Sequence, residues 1–423
     1  MSPRKLVFAI ATAFALLATA CGGTGTTTSG NESGTLTVWL MNGSAPQSVV
    51  DGVNADFKAK HPNVTVNVEI QQWSDVTTKL DTAFSGSTPP DVMELGNTLV
   101  AKYAAAGALQ DITSQKGSFE NSSTWLQSLT DSCTYQGKLY CVPYYAGSRA
   151  IIYRTDMFAA AGVQPPTSMD DLLTVGQKLM AKYGSDPRFS ALYFPGKYWY
   201  AAAPFVWDFG GDIASANGST WTGTLNSAGA QQGLSTLNNI VSKLSRADKT
   251  GDELKQDQAF AQGHIAMIIA NGWEVGVITD PKSGDPKLKD KLGAFPIPSH
   301  NAGQTAPVFL GGSDLAIAAK SKNQKLAQEW VGLLGGAKAQ ANMVTVGGVI
   351  PNTTTLTNLS TGLPAIFAAA AKNSRFTPTS PNWANVESAN VLQDMLVSIF
   401  TGKSSIPDAT TSADTKIAQI LNG

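Results

Sequence analysis

Residues 198–211, YWYAAAPFVWDFGG, set six aromatic rings into 14 residues of a chain whose aromatic content is 8%. Rings at that density either fill a core or offer flat apolar faces to a ligand, and the stretch by itself leaves both readings open. Polar groups able to grip a ligand occur elsewhere. Glu94 and Asn97, in ELGNT, follow an apolar run, and a charged acceptor there makes stronger hydrogen bonds than a neutral one. Exposure on a surface loop is the competing reading for both. Gly311-Gly312-Ser313 lets the backbone approach closely and is expected to open a helix whose free N–H groups suit an oxygen ligand, with capping by Ser313 or Asp314 as the alternative.

The motifs of several enzyme classes are missing. The sequence contains no G-x-S-x-G and no HExxH, and its three histidines, His61, His264 and His300, lack metal-ligand spacing. Gly402-Lys403-Ser404 resembles the end of a phosphate loop, but Val397 stands where the upstream glycine belongs. Neither a metal nor a cofactor is therefore expected. A pair of carboxylates working on a glycosidic bond is not excluded by sequence, so a secreted glycoside-acting enzyme stays open as an alternative.

The amino terminus predicts export from the cytoplasm. Arg4 and Lys5 precede an apolar run over 6–20, too short for the roughly 20 residues of a spanning helix and typical of an export signal. ATAC ends that run and resembles a bacterial lipobox, with Cys21 acylated as the first mature residue. Residues 21–34, rich in Gly, Thr and Ser, read as a flexible tether. Loss of residues 1–20 leaves 28 basic against 31 acidic residues, a surface with no bias toward nucleic acid. Cys133 and Cys141 flank TYQGKLY, where a three-residue loop over 136–138 would set them opposite each other across a hairpin. In an oxidising compartment a disulfide is favoured over a metal pair or a nucleophile, two buried thiols being the alternative.

From residue 35, runs of strand and helix character alternate: strands over 35–41, 63–70 and 91–96, helices over 45–60, 73–84 and 99–106. That rhythm predicts an α/β fold with a largely parallel sheet, whose ligands sit beyond the carboxyl ends of the strands. The loops concerned are MNGS (41–44), QQW (71–73) and ELGNT (94–98). About 400 mature residues exceed one ordinary core, so two lobes are expected.

Six segments then follow in a telling order: ADFKAKHPNVTVNV; TAFSGSTPPDVMELGNT with YAAAGALQDIT; YQGKLYCVPYYAGSRAIIYRTDMF; FAQGHIAMIIANGWE; GGSDLAIAAKSKNQKLAQEWV; and GGVIPN. In these the chain from about residue 35 to the C-terminus resembles the family 1 extracellular solute-binding proteins, the carbohydrate-binding subunits of bacterial ABC importers. Met169 departs from the pattern, standing where the family usually has tryptophan. The resemblance implies a two-lobed, periplasmic-binding-protein-like α/β fold with a ligand cleft between lobes joined by a multi-stranded hinge. Lobe 1 would comprise 35–145 and 308–355, lobe 2 146–307 and 356–423, with crossings near VPYYAGS, PVFLGGS and GGVIPN.

The implied ligand is a disaccharide or short oligosaccharide, with a glycerophosphodiester or another polar solute as the lesser alternative. The implied partners are membrane permease subunits, and the implied state is a monomer held by lipid on the outer face of the cell membrane. A sugar presents hydroxyl edges and C–H faces, so its site needs fixed polar groups and aromatic platforms. The resemblance puts Trp273, after IIANG, in a stacking role, and brings 198–200 near the cleft, with Trp199 and Trp207 as further platforms. It also places Trp73 and Trp383 in ligand-side loops and Arg375 where a basic donor often stands. Tyr144 falls in the first crossing and Gly312 in the second, completing a set that includes Glu94 and Asn97.

Overall fold

A computed structural model describes residues 33–423, so the expected export signal, Cys21 and nearly all of the tether lie outside the described residues. The alternation read from sequence appears as three parallel strands: β1 (Gly34–Met41), β2 (Val64–Gln71) and β3 (Val92–Gly96). Between the first two runs the helix Gln47–Lys60, which buries Val49, Val50, Val53 and Phe57. Those positions recur at helical spacing and form one apolar stripe laid on the sheet.

The later strands of the two larger sheets are β4 (Cys141–Gly147), β5 (Arg149–Arg154), β6 (Met267–Asn271), β7 (Leu292–Phe295), β8 (Gly311–Ile317) and β9 (Ile350–Pro351). One six-stranded sheet has the order β9-β4-β8-β3-β1-β2, and a three-stranded sheet has the order β6-β5-β7. Each sheet has its own core. The first packs Leu36, Val38, Val92, Leu95, Leu315 and Trp330, and the second packs Ile151, Phe205, Trp207, Ile269, Trp383 and Ile417. The molecule is thus a two-lobed α/β protein in which the chain passes between lobes at neighbouring strands.

Those passages are hydrogen-bonded side by side. Ala146 of β4 pairs with Gly312 of β8 on one side and Ile350 of β9 on the other. Ala146, Leu310 and Ile350 also share a small apolar cluster with Leu129, so the strands of the junction carry a core of their own. Gly312 has a φ of +146°, and a Cβ there would collide with the Tyr145 carbonyl oxygen. A side chain at this position is therefore excluded twice, by conformation and by space.

Two sequence expectations are corrected. Gly311-Gly312-Ser313 opens strand β8 and not a helix, because pairing to both β3 and β4 satisfies its backbone groups. Gly312 accordingly serves close strand packing. The cysteine hairpin turns on two residues and not three: Tyr135 pairs with Lys138, and Gln136 and Gly137 both take positive φ, at 48° and 75°. A tight turn of that handedness matches the twist of the flanking strands. The bridge Cys133–Cys141 forms across it, between two fully buried sulfurs.

Gly312→Ala is expected to lower unfolding free energy by about 1–3 kcal/mol, the cost of holding an L-residue in a disfavoured conformation. Gly52→Ala serves as the control: it sits within the helix Gln47–Lys60 with open space around its Cβ, and should stabilise by about 0.5–1 kcal/mol. Urea melts of the two variants test this, and equal effects would remove the argument for the crossing.

Candidate functional site

Glu94 lies in the middle of β3 beside the end of β1, and its carboxylate ties β1 to the loop that follows it. Oε2 accepts from the Met41 backbone N–H at 2.8 Å and from Ser44 Oγ at 2.6 Å. Oε1 faces the Tyr145 hydroxyl at 3.5 Å, and that hydroxyl accepts from Ser313 Oγ at 3.3 Å. The group is buried, and burial pushes its pKa up to about 7 against the lowering pull of these hydrogen bonds. Asn97 is buried as well and donates through Nδ2 to the Leu310 carbonyl at 3.2 Å, on the second crossing. Both residues tie neighbouring segments together from inside. Above them Trp73 is 37% exposed, with its ring over Gly96.

Trp273 marks the junction of the lobes. It follows β6 through Gly272, caps the helix Glu274–Thr279, and stays half-buried. Its ring occupies the space where Gly147 would carry a side chain and meets Tyr145 edge-on at 6.3 Å. A ring that springs from the second sheet thus packs against the core of the first.

On the second lobe, Arg149 begins β5 opposite Asn271 of β6. Its Nε donates to the Tyr198 hydroxyl at 2.9 Å, and its guanidinium lies 5.4 Å from the Tyr198 ring, 4.8 Å from Tyr200 and 5.7 Å from Phe309. Tyr198 donates onward to the Ile269 carbonyl. Gln256 donates to that carbonyl and to Glu274, whose other oxygen accepts from the Asn271 N–H and Nδ2. This buried chain of bonds runs from Arg149 to the turn that presents Trp273.

Other expected site residues sit differently. Trp199, Trp207 and Trp383 are packed in the second core, and Tyr144 is fully buried in the first. Helix Trp199–Asp208 is buried along nearly its whole length, which closes protein around the Trp199 and Trp207 rings. Trp383 Nε1 donates to Glu387, and Glu387 also accepts from Thr98 Oγ1 at 2.9 Å, linking the loop after β3 to the helix Trp383–Ser388. Arg375 is half exposed, 3.6 Å from Asp212. His264 pairs with Asp186 at 2.7 Å. Cys133, Cys141 and Asp314 meet in one place, but the disulfide leaves no thiolate for a metal.

The sequence profile of the bacterial extracellular solute-binding proteins matches residues 42–341. The chain belongs to that family. It is 34% identical over 418 residues, 95% of each chain, to the diacetylchitobiose binding protein DasA of Streptomyces coelicolor. It is 22% identical over 436 residues to the galactooligosaccharide-binding protein of Bacillus subtilis, covering 98% of this chain and 96% of that one. Among solved structures the GacH receptor of Streptomyces glaucescens, studied unliganded and with acarbose, superposes with a TM-score of 0.82 at 23% identity, covering 92% and 99% of the two chains. That likeness establishes the fold. For this solute-binding protein, sequence reading missed Arg149, Tyr145 and Asn271. The available signal was Arg149 as the single charge in CVPYYAGSRAIIY.

Glu94, Glu274 and Glu387 are each raised from 4.5 to about 7 by burial. The folded chain then holds protons that the unfolded chain releases, so stability falls as pH rises from about 4.5 to 7. Thermal melts across pH 5–8 should show this decline, and Glu94→Gln, which keeps an oxygen acceptor for Met41 and Ser44, should flatten it. An unchanged slope would contradict the buried carboxyl's role.

Proposed function

We propose that this protein captures a disaccharide or short oligosaccharide outside the cell and hands it to the membrane permease of an ABC importer. The observation that carries the reading is Trp273, a half-buried ring at the meeting of the two lobes beside a buried polar network. The near full-length likeness to a diacetylchitobiose binding protein and a galactooligosaccharide-binding protein supports it. Lobe 1, comprising residues 35–145 and 308–355, and lobe 2, comprising 146–307 and 356–423, close on the ligand by bending at the crossings, the ligand favouring the closed state because it touches both sides. Trp273 is the main platform, Trp73 a rim contact, and Glu94 and Asn97 hold the loops around the sugar. The protein acts as a monomer and binds without chemistry: ligand incubated with it is returned intact.

Trp273→Ala should raise the dissociation constant for the bound sugar roughly thirtyfold, the loss of about 2 kcal/mol typical of an aromatic anchor. Its melting temperature should fall by less than the drop that accompanies truncation of a fully buried tryptophan, about 3–5 kcal/mol. Calorimetric titration and melting of one preparation separate these. Unchanged affinity with a large thermal loss would make Trp273 a packing residue only.

Cys21 carries the lipid anchor, for which the ATAC sequence and the following tether are the support. Cys21→Ser should move the protein from the membrane fraction to the medium or halt processing. A wild-type protein found wholly in the medium would rule the anchor out.

A further inference from the structure

Asp314 is fully buried on β8, outside the site built around Trp273. Neighbouring residues of a strand point to opposite faces, and here the two faces differ. Ser313 turns its hydroxyl to Tyr145, on the side of Glu94, whereas Asp314 turns to Ser132, the last residue of the helix Gln127–Ser132. Oδ2 of Asp314 accepts from Ser132 Oγ at 2.9 Å, and Oδ1, sealed from solvent, has no hydrogen-bond partner among the described residues. The nearest chemistry is sulfur. A carboxyl oxygen of Asp314 and the sulfurs of Cys133 and Cys141 all lie within 4.8 Å of one another.

A charge held at that depth without water or a cation is costly, so burial raises the pKa of Asp314 well above the ordinary carboxylate value. The elements around it do not reverse this. Glu94 on β3 pushes the same way, Tyr145 on β4 is neutral, and only the Ser132 hydrogen bond pulls the pKa down. Asp131 beside Ser132 is exposed and accepts from Gln127, while the helix Gln324–Leu334, packed on β8, buries apolar residues alone. Asp314 thus keeps a proton in the folded protein, and with Oδ2 taken by Ser132 that proton sits on Oδ1.

We propose that Asp314 is the acid–base group of the Cys133–Cys141 bridge, taking the proton of the second thiol as the bridge closes and returning it to the departing sulfur when the bridge opens. In closure one cysteine, its proton lost to solvent, attacks a disulfide R–S–S–R, which releases one R–S⁻ and leaves a mixed disulfide. The other thiol gives its proton to the Asp314 carboxylate, its sulfur attacks the cysteine sulfur of the mixed disulfide, and the second R–S⁻ leaves. The two cysteines are oxidised by two electrons and R–S–S–R is reduced. Opening by an attacking thiolate reverses these steps. The co-reactant is a dithiol–disulfide oxidoreductase or a small disulfide, which reaches the buried sulfurs as the short hairpin over 134–139 lifts. Asp314 stands 182 residues beyond Ser132 and meets the sulfurs only once β8 has paired with β4, so the step it serves belongs to the assembled sheet.

Reduction of the full-length processed protein by dithiothreitol, followed by alkylation and mass measurement over pH 6–9, tests this when each rate is divided by the concentration of dithiothreitol thiolate. The wild-type rate so normalised should decline as pH rises and Asp314 gives up its proton. Asp314→Asn keeps an oxygen for Ser132 and removes the acid; its rate should fall about a hundredfold, the low end of what a placed acid contributes, and lose the decline. Ser132→Ala removes the hydrogen bond, keeps the carboxyl, and should retain the decline. Urea melts report whether each variant folds. Equal rates or a shared pH profile in the wild type and a folded Asp314→Asn overturn the proposal, as does reduction no faster than global unfolding in the same buffer. If Asp314→Asn does not fold, the wild-type profile decides, and a normalised rate independent of pH overturns it.

Discussion

The close approach of strands at the lobe junction constrains the whole molecule. β4 is held on one side by β8 and on the other by β9, and each of these strands lies where the chain passes from one lobe to the other. A sheet spacing of about 4.8 Å leaves no room for slack between them. Gly312 meets that requirement by carrying no side chain, and Gly147 meets it by leaving its space to the Trp273 ring. The same backbone that joins the lobes therefore also seats the Trp273 ring.

Polar groups along this junction divide into two kinds. Glu94 and Asn97 are held by the protein, which makes them braces: their hydrogen bonds run to Met41, Ser44, Tyr145 and Leu310. Arg149 is held differently, by one hydrogen bond to Tyr198 and by the rings of Tyr198, Tyr200 and Phe309.

Much of the first lobe was legible because its signals are local. The strand–helix alternation from residue 35 to 106, the apolar stripe Val49, Val50, Val53 and Phe57, and the tight turn at Gln136-Gly137 all follow from neighbours in sequence. The site was less legible. Trp199, Trp207, Trp273 and Trp383 are the same side chain, and only the surrounding fold decides which are closed over. Gly311-Gly312-Ser313 reads as a helix start until β3 and β4, contributed from more than 160 residues upstream, claim its backbone. Arg149 was visible as a lone charge, but its lack of a counter-ion is a property of three dimensions.

The order of the six-stranded sheet also governs how the chain comes into being. β8 (Gly311–Ile317) lies between β3 and β4, which end at residues 96 and 147. As the polypeptide emerges amino end first, those two strands have no shared neighbour until residue 317 of 423 has appeared. Pairing over such a separation is slow because the loop must close before any contact is gained. A nascent chain built this way can pair β1, β2 and β3 early but cannot complete the sheet until β8 has been made.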